Sequence, residues 1–205
     1  MRAFVAIDFP DAIHAALADQ QAAFRAACQA QSRYADEIRW TRPEGIHLTL
    51  KFLGQVPEDR LKLVSEALEL LGGFERFWVE VKGFGFFPNP RRPRVFWVGL
   101  EAPAALLKLV TGLETAMEGL GFPREQRAFT PHLTLARFKS PHSQPALEAL
   151  LKERKAIELG RFEVAEFYLF ESRLSPAGAT YRKVARFPGR PAAEQTSIGV
   201  SPSKG

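Results

Sequence analysis

The spacing of apolar and polar residues changes repeatedly along this chain, and each change marks an element. Residues 2–8 are rich in β-formers with weak alternation, which predicts a first strand ending at Phe9-Pro10. Residues 11–31 are dominated by Ala, Gln, Leu and Phe and open on Pro10-Asp11, a helix start. Residues 38–41 read as a short strand, residues 42–45 as a turn, and residues 46–53 as a strand ended by residues 54–57. Leu61, Val64, Leu68 and Leu71 then recur at intervals of three and four. They predict an amphipathic helix over residues 57–71, stopped by Gly72-Gly73.

The second half repeats this order. Residues 77–87 alternate strongly and return through a Pro- and Arg-rich loop into residues 95–100, a hairpin whose connection is long enough to be functional. Residues 103–120 read as a helix with Leu106, Leu109, Val110 and Leu113 on one side. A strand follows over residues 131–138, and a short helix over residues 143–154 with Ser143 as its N-cap. Residues 162–172 and 180–187 form a last strand pair around a turn at residues 176–178. The final stretch, residues 188–205, is small, polar and patternless, as a disordered tail would be, leaving residues 1–187 as a single bilobal domain. Strands and helices alternate similarly in both halves, and hairpins join many of the strands. The expected fold is therefore α+β, with two mainly antiparallel sheets related by a pseudo-two-fold around a central groove and helices outside.

A length of 205 residues suits one compact domain or two small lobes sharing a core. At 46% hydrophobic and 25% charged residues, the composition is that of an ordinary globular protein. No apolar run is long enough to cross a bilayer and the N-terminal residues lack a signal-peptide pattern, so a cytoplasmic location without a membrane partner is expected. A single cysteine, Cys28, leaves no internal disulfide to form. No obligate protein partner is expected, and the chain reads as a monomer. Lys and Arg exceed Asp and Glu by 28 to 23. The excess matters because it clusters, at Arg91-Arg92-Pro93-Arg94, at residues 124–127 and 137–139, and at Arg182-Lys183, as a phosphate-bearing partner requires.

The chemistry concentrates in a tetrapeptide that occurs twice. His47-Leu48-Thr49-Leu50 returns as His132-Leu133-Thr134-Leu135, and these two histidines are half of the four in the chain. In a strand His and Thr share one face and the leucines the other. If the halves are related by a two-fold, two imidazoles and two hydroxyls meet across the groove. One imidazole can then accept a proton while the other donates one, as in-line phosphodiester cleavage demands. The Thr49 and Thr134 hydroxyls can donate to the non-bridging oxygens. No metal or other cofactor is expected, because a third ligand is missing and no carboxylate recurs with the motif. Lys51 shares the parity of His47 and Thr49, so strict alternation aims it at the groove; a solvated edge charge is the alternative. Arg137 has the opposite parity and reaches the groove only if its strand bulges or ends first. Arg91, Arg92 and Arg94 fit a solvated hairpin tip better than direct catalysis, with guidance of a nucleic-acid backbone as the functional alternative. His14 and His142 have no repeated partner and are assigned to structure or surface.

The segments Gly45-Ile46-His47-Leu48-Thr49-Leu50-Lys51-Phe52-Leu53-Gly54 and Phe129-Thr130-Pro131-His132-Leu133-Thr134-Leu135-Ala136-Arg137 resemble the paired His-x-Thr-x motifs of the two-histidine (2H) phosphoesterase superfamily. Within it the chain is most similar to the RNA 2′,3′-cyclic phosphodiesterases, also called 2′-5′ RNA ligases. Residues 2–7, 93–100 and 171–174, with Gly178 and Tyr181, extend the resemblance over residues 1–187. The resemblance implies a LigT-like fold and hydrolysis of 2′,3′-cyclic phosphate ends of RNA to 2′-phosphomonoesters, with His47 as proton donor and His132 as proton acceptor. A near-symmetric pair looks the same with the roles exchanged, so this polarity comes from the resemblance alone. The same groove suits 2′-5′ RNA ligation or opening of a small cyclic nucleotide. A non-catalytic RNA-binding module is the alternative of another class, although no RRM-type aromatic signature accompanies the motifs.

Overall fold

Hydrophobic periodicity sets each element and its buried side. In α1 (Asp11–Gln31) the residues Ile13, Leu17, Phe24 and Cys28 form one buried stripe, as an amphipathic helix requires. Burial raises the Cys28 thiol to about 11, which leaves it an inert packing group. In α2 (Glu58–Leu71) Val64 and Leu68 are buried, and in α3 (Ala104–Gly119) Leu106, Leu109, Val110, Leu113 and Met117 are. The structure is a computed structural model and describes residues 1–32, 34–153, 158–175 and 178–191. Among them, no helix is long and apolar enough to cross a membrane.

The strands are β1 (Arg2–Ile7), β2 (Ile38–Trp40), β3 (Leu48–Gln55), β4 (Phe77–Phe87), β5 (Val95–Glu101), β6 (His132–Phe138), β7 (Glu158–Val164), β8 (Glu166–Ser175) and β9 (Gly178–Pro188). They form two antiparallel sheets, in the orders β3-β1-β8-β9 and β2-β6-β5-β4-β7. The two orders correspond when β3 is set on β6, β1 on β5, β8 on β4 and β9 on β7, with β2 added at one edge. The fold is thus α+β, with the expected internal two-fold in its strand order. The helices are exchanged between the sheets. Helix α1 lies in sequence between two strands of the first sheet, yet it packs on β7, and its Phe24 ring meets Phe84 and Phe96 of the second sheet at 5.0 Å each. Helix α3 lies between two strands of the second sheet and packs on β3 of the first. One continuous apolar core joins the helix-facing sides of both sheets.

Several boundaries differ from expectation. The first motif strand begins at Leu48 and continues through Gly54 to Gln55, so His47 stands just outside it. Residues 162–172 are two strands rather than one. The chain leaves the second sheet at Val164 and enters the first at Glu166, with no Gly or Pro to mark the crossing. The last short helix, α4 (Pro145–Glu153), begins two residues after Ser143, and Gln144 stands at its mouth with its carbonyl accepting from the Glu148 amide (3.0 Å). Residues 188 and 190, expected in the tail, are paired with the rest of the fold: Arg190 bridges to Glu75, and the Gly73 amide donates to the Pro188 carbonyl. The remainder of the expected tail, residues 192–205, and the expected turn at residues 176–177 lie outside the described residues.

Candidate active site

Both His-x-Thr-x strands carry the same irregularity. Along β3, Thr49 pairs with Ala6 and Lys51 with Val5, so Leu50 is an extra residue; along β6, Thr134 pairs with Trp97 and Ala136 with Phe96, so Leu135 is extra. A one-residue bulge reverses the parity of everything beyond it. In β6 the freed Leu135 carbonyl accepts from the Gln21 side chain (2.8 Å) and from the Thr41 amide (2.9 Å), so a buried glutamine on α1 secures the bulge. The bulge decides two residues. Arg137 is exposed on the side of β6 that bears His132 and Thr134, the outcome that required a bulge. Lys51 is turned the opposite way and corrects the groove expectation: it is buried, and its ammonium lies 2.6 Å from Glu114 of α3. The groove position that alternation gave to Lys51 passes to Phe52, a ring 66% exposed.

The helix-free face of the first sheet presents Thr49, Phe52 and a small separate cluster of Phe4, Ala6 and Phe170. The His47 ring stacks on Phe4 with centroids 4.6 Å apart and meets the edge of Tyr181 at 5.0 Å. On the second sheet His132 receives the Phe87 ring edge-on at 4.9 Å and has Trp97 beyond it. Trp97 lies so close over Gly85 that an added Cβ there would stand 2.3 Å from the indole. The two motif strands, β3 and β6, approach with Cα atoms within 8 Å where the sheets meet. A cavity of about 370 Å³ opens beside His47, walled by Asp8, Glu44, Ile46, Phe170, Tyr181, Arg182 and Lys183. Its walls belong to the first sheet and the turn before β3, and His132 is not among them. The Arg91, Arg92 and Arg94 side chains are exposed at the β4–β5 turn, and Arg94 donates to the Lys139 carbonyl (3.1 Å).

The family model of the 2′-5′ RNA ligase superfamily matches residues 9–175. This chain belongs to that superfamily. It is 35% identical over 188 residues to the RNA 2′,3′-cyclic phosphodiesterase of Methanothermobacter thermautotrophicus, covering 91% of this chain and 98% of that protein. The protein of the same name from Aeropyrum pernix is 40% identical over 146 residues, 71% of this chain and 82% of its own. Among solved structures, TT0787 of Thermus thermophilus aligns with a TM-score of 0.73 at 30% identity, over 92% of this chain and 97% of that one. The LigT of E. coli, solved with 3′-AMP, has the same fold at a TM-score of 0.70 and 24% identity, over 92% and 97% of the two chains.

In this superfamily member each imidazole meets a backbone carbonyl two residues upstream, and burial holds both below the ordinary range. His132 Nδ1 lies 2.7 Å from the Thr130 carbonyl, an acceptor only, so Nδ1 carries the hydrogen and Nε2 keeps its lone pair. His47 also meets a backbone carbonyl two residues upstream, that of Gly45, which favours its protonated form. Burial pushes the His47 imidazole down to about 4, while the Asp8 carboxylate and the Gly45 carbonyl pull the other way and His14 adds to the lowering. Burial also lowers His132; the Thr130 carbonyl resists, and the Arg137 guanidinium adds to the lowering. Asp8 thus favours and His14 opposes a proton on His47, Arg137 opposes one on His132, and burial outweighs them at both rings. The sequence reading missed Asp8. Burial works to raise its carboxyl, but Lys183, the Phe9 amide and His14 together hold it below the ordinary range. His14 bridges the Pro43 carbonyl and Asp8 (3.1 Å each), and His142 stacks on Tyr34 at 4.0 Å.

Proposed function

We propose that this protein hydrolyses the 2′,3′-cyclic phosphate ends of RNA to 2′-phosphomonoesters by metal-independent acid–base catalysis between His47 and His132. The phosphate sits at the seam between β3 and β6. His132 Nε2 removes a proton from water as the water oxygen bonds to phosphorus, and His47 delivers a proton to the 3′ oxygen as its bond to phosphorus breaks. The Thr49 and Thr134 hydroxyls and the Arg137 guanidinium face the non-bridging oxygens and hold the charge that accumulates there. The arriving phosphate anion raises the His47 imidazole, counteracting its burial and charging it where the acid is needed. The observation that carries this reading is the pair of His-x-Thr-x strands that bulge at equivalent leucines, Leu50 and Leu135, and meet where the two sheets come together. The assignment of His47 as acid and His132 as base follows the resemblance to the two-histidine phosphoesterases.

The relatives named RNA 2′,3′-cyclic phosphodiesterase support RNA ends as the substrate class. The exposed Arg91 and Arg92, at the turn that leads into the strand paired with Arg137, support contact with a longer backbone. The test is turnover of an oligonucleotide ending in a 2′,3′-cyclic phosphate, with the product phosphate located on 2′ or 3′. His47→Ala and His132→Ala should each abolish turnover with circular dichroism unchanged, and EDTA should leave the rate as it was. Activity surviving either substitution, or strict dependence on a metal, refutes the mechanism.

A further inference from the structure

Lys51 is a buried cation for which the acid–base chemistry has no use. Its side chain is 3% exposed and that of Glu114 is 13% exposed. Taking two opposite charges out of water is costly, and an apolar pair of similar volume would fill the space without that cost. The second motif does so: the residue equivalent to Lys51 is Ala136, buried and apolar. What the first motif gains is visible in the remaining hydrogen bonds. Lys51 Nζ also donates to the Pro123 carbonyl (2.9 Å), and the same Glu114 oxygen accepts from the Glu125 amide (3.2 Å).

Pro123 and Glu125 open the stretch between α3 and β6, which has no helix or strand of its own. Its far end is fixed by the Leu100 amide donating to the Pro131 carbonyl (3.3 Å), and one residue earlier the Thr130 carbonyl fixes the tautomer of His132. We infer that Lys51 and Glu114 are a positioning pair, through which the strand behind His47 holds the irregular segment that presents Thr130 to His132. Neither residue touches the reacting atoms. The first motif thus sets the geometry of the second, and the bulge at Leu50 is what turns Lys51 toward this task.

The kinetic arm of the test rests on the acid–base reading above; the spectroscopic arm does not. The charge acting on His132 is Arg137 from its own strand, while β4 and β5 contribute the Phe87 and Trp97 rings. Lys51→Met keeps the length of the side chain and removes the charge. NMR titration of the His132 imidazole in the full chain should move to lower pH in this variant, since the Thr130 carbonyl that opposes burial is misplaced. His47 should titrate as before. On cyclic-ended RNA, kcat should fall by about tenfold or more with KM little changed, as loss of orientation demands. A lower Tm with unaltered His132 titration and kcat overturns the inference and leaves the pair a structural ion pair only. If Lys51→Met does not fold, Glu114→Gln is read instead, and an unshifted His132 in that variant overturns it equally. A shifted His132 in a protein that never turns over cyclic ends supports the positioning pair and removes the catalytic reading.

Discussion

Acidifying the solution tests the surroundings of His47 directly. Burial holds its imidazole at about 4 in the folded protein against an ordinary 6.5, so the unfolded chain takes up a proton that the folded one refuses. A basic group lowered by folding contributes its stability above the unfolded value and loses it as pH falls toward the folded one. The window here runs from about 6.5 down to about 4. At about 1.4 kcal/mol per pH unit the loss comes to roughly 3 kcal/mol, a large part of the stability of a typical domain. His47→Gln removes the titrating ring and retains an N–H for the Gly45 carbonyl. Urea unfolding of both proteins, followed by tryptophan fluorescence, gives stability at steps between about pH 7 and about pH 4. The variant should gain on the parent by roughly 3 kcal/mol across that range, because groups common to both cancel. Curves that stay parallel would refute the burial argument, and with it the claim that the ring is neutral until phosphate arrives.

Arg137→Gln removes the cation that presses the His132 imidazole down, so the limb of the kcat/KM profile that reports the base should move to higher pH. The same change should lower kcat/KM by at least about tenfold through the lost phosphate contact, and an unmoved limb would place Arg137 away from the site. Gly85→Ala sets a methyl 2.3 Å from the Trp97 indole and should cost about 1–3 kcal/mol, a Tm lower by roughly 3–10 °C in calorimetry. A Tm equal to that of the parent would mean that the indole gives way freely.

The amphipathic helices were legible because their apolar residues recur without interruption: α1 spans the residues that composition assigned to it, and Leu106, Leu109, Val110 and Leu113 are buried as their spacing requires. The hairpin of β4 and β5 was legible for the same reason in period two. The bulge at Leu50 is not, because strict alternation carries Lys51 to the groove, and the one at Leu135 enters only as the condition on Arg137. A signal existed in the pattern itself. The large apolar residues on the buried side run Leu48, Leu50, Leu53 in one strand and Leu133, Leu135, Phe138 in the other, so a spacing of three interrupts the alternation in both copies, and the slipped positions Lys51 and Ala136 are buried too. That hiccup moves Lys51 off the groove side and brings Arg137 onto it. Asp8 was invisible because its effect on His47 depends on how the chain comes together, with β1 and β3 side by side, which no local pattern records. The division of residues 158–175 between two sheets was hidden likewise by an unbroken run of strand-forming residues.

The exchange of helices between the sheets makes the halves interdependent. A fragment ending after β3 would carry α1 with no second sheet to cover, exposing Phe24 and Leu17 to water. A fragment beginning at β5 would carry α3 with its apolar stripe equally bare. Split-protein versions of this chain should consequently be insoluble when expressed singly and recover only when co-expressed. A gene encoding one half could have prospered only as a homodimer that swapped its helix with a twin.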